Sequence, residues 1–359
     1  MNADLLESLL RQTPLMEPVD AVKLVFQSAM GCGHALGERA ACAQAVRREW
    51  ETTPEDAGMP AFTPIGGGLC RLNLASPAVR RLPAERVADW MRLTARHKPG
   101  DRQALESGLE ALRRLAREGR TPFGAGALDE CLDAYRRAGR PVVSHSEAYR
   151  RAYAPAYRVI LENLALLMPV VLAVEERLAR TGRALVVLDG DCGAGKTTLA
   201  GLLGELYDTA PLSMDDFFLP PALRTPQRLA TPGGNIDAER FAQEVLGGLL
   251  KGGAFAYRRY DCHRDAFSPR HHAPGAVSVI EGSYSHHPRF AGAYEAMEAV
   301  RVFVSVDEPL QRKRIARRNP ALAFRFQNEW IPLEKTYFQA YDIAGKADIV
   351  LSLPEEETP

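Results

Sequence analysis

Ala184-Leu185-Val186-Val187-Leu188-Asp189 runs directly into Gly190-Asp191-Cys192-Gly193-Ala194-Gly195-Lys196-Thr197. The first six residues read as a buried strand. The next eight match G-x-x-x-x-G-K-[ST], and Thr198-Leu199-Ala200-Gly201-Leu202-Leu203 continues as a helical pattern. Glycines let backbone N–H groups curl around phosphate oxygens, and the helix start adds partial positive charge. Residues 190–198 are therefore expected to bind ATP. Lys196 would reach the β- and γ-phosphates, and the Thr197 hydroxyl would ligate Mg²⁺. Cys192 sits inside this loop, where a helix N-terminus is expected to lower a thiol's pKa.

Working outward, residues 210–214, 254–260, 276–281, 300–306 and 347–351 read as strands. Helical patterns at 195–207, 237–251, 309–318 and 329–341 lie between them. Strand–helix alternation predicts an α/β fold with a parallel sheet covered on both faces. Loops at the carboxyl ends of such strands face the ligand crevice. Leu212-Ser213-Met214-Asp215-Asp216-Phe217-Phe218 ends one strand there. Its carboxylates are placed to ligand the metal or to take a hydroxyl proton. No N-K-x-D run for guanine recognition is present.

The order G-D-C-G-A-G-K-T, S-M-D-D-F-F, G-N-I-D (234–237), Y-D (260–261) and V-I-E-G (279–282) resembles the uridine kinase / phosphoribulokinase group of P-loop kinases. The resemblance spans roughly residues 180–353. It implies a five-stranded parallel sheet flanked by helices and ATP-dependent phosphorylation of a small-molecule hydroxyl. It makes Asp215 the general base, shared with Mg²⁺, and places Phe218 against the base of the acceptor. Asp237 would meet ribose hydroxyls, and Tyr260 and Asp261 would line the acceptor pocket with His263 nearby. Glu281 would stand close to Mg²⁺. Asp216 is the second candidate for the base. In related kinases a basic helix closes over the phosphates, which gives Arg314, Arg317 and Arg318 that role. The acceptor is expected to be uridine or cytidine, with pantothenate, glycerate or a sugar phosphate left open. A nucleotide-dependent switch acting on the N-terminal domain is the reading from another class.

Residues 1–160 read as a mainly helical domain, with helices at 4–11, 19–30, 37–51, 84–96, 102–118 and 126–138 and one strand at 68–74. A long helical stretch over 147–180, with Ser144 and Glu147 at capping-box spacing and with Pro155 and Pro169 expected to kink or divide it, would join it to the kinase-like domain at 161–359. Two patches stand out: residues 26–34, with Gln27 and His34, and residues 145–158, with His145, Tyr149, Tyr153 and Tyr157. They are expected either to form one polar pocket or to pack as a core with hydroxyls at the rim. They resemble a bacterial domain of unassigned function.

The chain has 359 residues, with 45 Lys+Arg against 45 Asp+Glu. That balance argues against a nucleic-acid coat. The longest apolar run, residues 164–174, is too short for a membrane span, which needs about 20 residues. It is expected to be a buried helix. Six cysteines without C-x-x-C pairing suggest a reducing, cytoplasmic setting. The expected partner is the small-molecule acceptor, and a homo-oligomer is left open.

Overall fold

The computed structural model describes residues 1–33 and 36–353. The described residues divide into two units, Met1–Ala165 and 166–353.

In the first unit, helices Ala3–Gln12, Pro18–Met30, Arg39–Thr52, Ala84–His97, Arg102–Arg117 and Ala125–Arg137 follow the expected pattern. Each buries one face. The Arg102–Arg117 helix hides Leu105, Leu109, Leu112 and Leu115 and turns its charges outward. Side-chain oxygens of Asn2 and Asp101 cap the first N–H groups of two helices. The unit also holds an antiparallel sheet of β1 (Phe62–Gly66), β2 (Leu69–Asn73) and β3 (Tyr157–Leu161), in that order. All five residues of β2 are buried.

The stretch over 147–180 is divided at Pro155, as expected, but the residues that follow form β3 and not helix. The helix Glu147–Tyr153 stops where Ala154 turns left-handed, and Pro155 follows. Pro155 lacks an N–H, and the branched residues Val159 and Ile160 then gain a full ladder on β2. Ser146, not Ser144, caps that helix by accepting the Tyr149 N–H. The helical pattern resumes at Glu162–Leu166 and Met168–Thr181, and Leu164, Leu167, Val170, Val171 and Val174 are buried. Among the described residues, no helix is long and apolar enough to cross a membrane.

The second unit is α/β. β4 (Ala184–Gly190), β5 (Leu212–Ser213), β8 (Val277–Glu281), β9 (Val300–Ser305) and β10 (Ile349–Ser352) form a parallel sheet flanked by helices. Their order is β10-β9-β4-β8-β5. Every residue of β4 and β8 is buried, and the apolar run Leu185–Leu188 lies within β4 at the centre of the sheet. The run at 254–260 is not a sheet strand. It forms β6 (Phe255–Asp261), which pairs only with β7 (Ala266–His272) as an antiparallel hairpin. β7 went unread because it carries Pro269 and is exposed along six of its seven residues. Phe217, Phe241, Ile280, Phe290 and Tyr337 anchor the core on one side of the sheet.

Candidate active site

β4 ends at Gly190 with φ 134°, and a Cβ there would collide with the Val304 backbone of β9. The chain can therefore leave the sheet tightly only with glycine. Gly195, at φ 93°, then starts the Lys196–Tyr207 helix. Asp189, the last strand residue before the loop, is fully buried and fixes what surrounds it. Its carboxylate accepts from the backbone N–H groups of Gly190, Tyr284 and His286 and from the Tyr337 hydroxyl, at 2.7–3.1 Å. It ties the phosphate loop to the turn after β8.

Lys196 is buried. Its Nζ donates to Gly190 O at 2.6 Å, Asp191 O at 2.9 Å and Ser283 Oγ at 3.2 Å. These partners are all neutral, so the ammonium rests against the loop without a carboxylate bonded to it. Thr197 Oγ1 donates to Glu281 Oε2 at 3.0 Å, and Ser213 Oγ donates to Glu281 Oε1 at 2.8 Å. The ends of β4, β5 and β8 thus converge on one carboxylate. Burial pushes the Glu281 carboxyl above its usual range, and the nearby Asp215 charge adds to this.

Asp215 opens the turn Met214–Phe217 after β5. Solvent reaches its side chain, yet the protein crowding the cleft raises its pKa by desolvation, opposed by Lys196 and Arg318. Asp216 is engaged differently. Arg259 Nε lies 3.1 Å from its carboxylate and the Tyr257 hydroxyl donates to it at 3.2 Å. Asp216 therefore serves to hold the hairpin.

The remaining predicted acceptor residues are committed to local bonds. Asp237 caps the Ala238–Phe241 helix turn and pairs with Arg240 at 3.1 Å. Arg240, buried over the Phe217 ring, also donates to Asp216 O at 3.1 Å and so pins the Asp215 turn. The Tyr260 hydroxyl donates to Asp265 at 2.7 Å. Asp261 accepts the His263 N–H at 2.9 Å, and the His263 side chain is exposed on the hairpin turn. Phe218 is half-buried and bridges to Ile236. Arg314, Arg317 and Arg318 lie on the Glu308–Arg318 helix. On that helix Gln311 Nε2 donates to Cys192 O at 2.9 Å, and Ile315 packs at the side of Gly193.

The Cys192 expectation is overturned. Burial pushes its thiol up, and the Glu334 carboxylate beside it adds to that. Glu334, on the Ile331–Tyr341 helix, accepts the Cys192 N–H at 3.0 Å and the Ser283 hydroxyl at 2.6 Å. Burial raises the Glu334 pKa too, against the pull of Lys196. Glu334, Ser283 and Gln311 carry no motif. Asp189 was legible in principle, as an acid ending an apolar strand just before the loop.

The donor set suits Mg²⁺, a hard cation that prefers oxygen and keeps water and phosphate ligands. Thr197, Asp215 and Glu281 would supply a hydroxyl and two carboxylates. Among the described residues, no group of three His, Cys, Asp or Glu side chains could hold a metal without help.

No family model matches the chain. No curated protein matches it either. Solved structures do resemble part of it. A possible uridine kinase from Bacillus stearothermophilus is similar over 50% of this chain and 95% of its own, at 20% identity and TM-score 0.37. A candidate fructose transport system kinase from Silicibacter sp. TM1040 is similar over 52% of this chain and 98% of its own, at 24% identity and TM-score 0.40.

Proposed function

We propose that the second unit is a phosphotransferase that moves the γ-phosphoryl group of Mg²⁺-bound ATP to a hydroxyl of a small molecule. The observation that carries this reading is the convergence of Lys196, Thr197, Asp215 and Glu281 at the carboxyl ends of three adjacent parallel strands. A triphosphate needs backbone donors, one mobile cation and hard oxygen ligands for a metal. An acceptor alcohol needs a carboxylate beside the same place.

Asp215 takes the proton as the acceptor oxygen bonds to the γ-phosphorus and the bond to the β-phosphate oxygen breaks, releasing ADP. The raised Asp215 pKa favours this role, because a more basic carboxylate accepts a proton more readily. Lys196 swings from the loop carbonyls to the phosphates, replacing neutral partners with charged ones. Thr197, Asp215 and Glu281 are the residues that would hold Mg²⁺, whose charge would offset that of the transferring group. Arg314, Arg317 and Arg318 line the basic helix beside the loop, where closure would exclude water.

For the acceptor, the order of the five motifs favours a nucleoside, uridine or cytidine. Pantothenate, glycerate and a sugar phosphate are the alternatives. ADP release from ATP is measured across a panel of these acceptors. Acceptor-dependent turnover that Asp215→Asn removes supports the proposal. Tight ATP binding without stimulation by any acceptor would instead favour a nucleotide-dependent switch.

A further inference from the structure

In the first unit, Asp20, Lys23 and Gln27 lie on one face of the Pro18–Met30 helix, at spacings of three and four. Asp20 is fully buried and takes the His145 ring at 2.8 Å and the Ser146 hydroxyl at 2.7 Å. The other His145 nitrogen meets the Tyr157 hydroxyl at 2.6 Å. Burial lowers the His145 pKa, and the bond to Asp20 opposes that. This core-facing half of the cluster is fully paired.

The cationic half is not. Arg71, in the middle of β2, is only 9% exposed. Its guanidinium donates to Gln27 Oε1 at 2.9 Å, stacks 4.4 Å from the centre of the Tyr157 ring, and reaches the Tyr149 hydroxyl from Nη1 at a long 3.5 Å. Lys23 is half-buried, and its Nζ donates to Val143 O at 2.9 Å. Among the described residues, neither cation has a carboxylate within ion-pair distance. Burial lowers the Lys23 pKa, and repulsion from Arg71 and Arg150 adds to it. Buried charges are ordinarily paired, because a guanidinium taken from water and given only neutral acceptors is costly. Asp20 does not discharge the cluster, since its oxygens serve His145, Ser146 and the Glu17 N–H.

We propose that Lys23 and Arg71 form a binding site for the oxyanion of a small molecule, a carboxylate or a phosphate, against the ring of Tyr157. Arg71 Nη1 and Lys23 Nζ are its donors, because their present partners are weak or neutral. The anion would supply the charge that the fold withholds. This site lies wholly within the first unit and does not depend on the kinase reading.

The test uses the full chain carrying Lys196→Ala, which weakens anion binding at the phosphate loop. Inorganic phosphate and acetate are titrated separately by calorimetry, against chloride at equal ionic strength. The His145 ring resonances are followed by NMR. Saturable binding of either probe that shifts the His145 signals, and that weakens at least tenfold in Lys23→Met and in Arg71→Met, supports the site. Phosphate alone binding marks a phosphoester ligand, whereas acetate binding marks a carboxylate. Lys23 is half-exposed, so Lys23→Met keeps the test valid if Arg71→Met does not fold. A titration that Lys23→Met leaves unchanged, or no shift of His145 with either probe, overturns the proposal.

Discussion

Thr197 and Glu281 are hydrogen-bonded at 3.0 Å although 84 positions separate them. The bond joins the first turn of the loop helix to the end of β8, and Ser213 completes it from β5. A carboxylate held by two hydroxyls, in a place where burial raises its pKa, is costly on its own and suited to a metal.

Glu281→Gln is expected to trade function for stability. Because the folded pKa of Glu281 lies above 4.5, its ionised form weakens the folded state at neutral pH. The glutamine variant should therefore melt higher than the parent at pH 7. The gap should close as pH falls through the folded pKa and then below 4.5, where the carboxyl is protonated in both states. The same variant should need more Mg²⁺ for half-maximal turnover. Thermal melts across pH and a magnesium titration check both halves.

Asp215→Asn should lower kcat by roughly 10²–10⁴-fold, the range for losing a general base, while ATP still binds. Burial raises the Asp215 pKa above 3.8, so the acid limb of kcat/KM should lie above the ordinary carboxylate range. Arg318 lowers that pKa, so Arg318→Ala should move the limb to higher pH. A limb that moves down, or stays fixed, counts against Asp215 as the base.

Glu334→Gln should raise KM for ATP more than it lowers kcat. The side chain touches neither phosphate nor acceptor, but it holds the Cys192 N–H and, through Ser283, the residue on which Lys196 rests. One charge-assisted hydrogen bond is worth about 1.5–3 kcal/mol, so a change in KM of roughly tenfold is expected. Steady-state kinetics at saturating acceptor would separate the two parameters.

Cys192→Ala should leave peroxide sensitivity unchanged. A thiol whose pKa is pushed up by burial and by Glu334 carries little thiolate at neutral pH, and the thiolate is the reactive form. Activity of parent and variant after matched peroxide exposure decides it. Protection in the alanine variant would show a reactive thiol.

The sequence by itself determined the parts whose physics is local. The run from Ala184 to Thr197 had to be a buried strand, a glycine turn and a helix start, because apolar patterning and left-handed glycines allow little else. The strands β4, β8 and β9 and most helices followed from periodicity for the same reason. Tertiary structure decided the rest. Glu334 and Gln311 reach the loop from distant helices that no spacing rule links to it. Asp216, Asp237, Tyr260 and Asp261 read as pocket residues, and the local bond each makes within the fold was not legible from its motif. β3 exists because β2 offered a ladder that Tyr157–Leu161 could complete, a gain invisible from that segment alone. The buried cations of the first unit show the same limit. Arg71 and Lys23 are 48 positions apart in the chain, and only folding reveals that neither pairs with a carboxylate among the described residues.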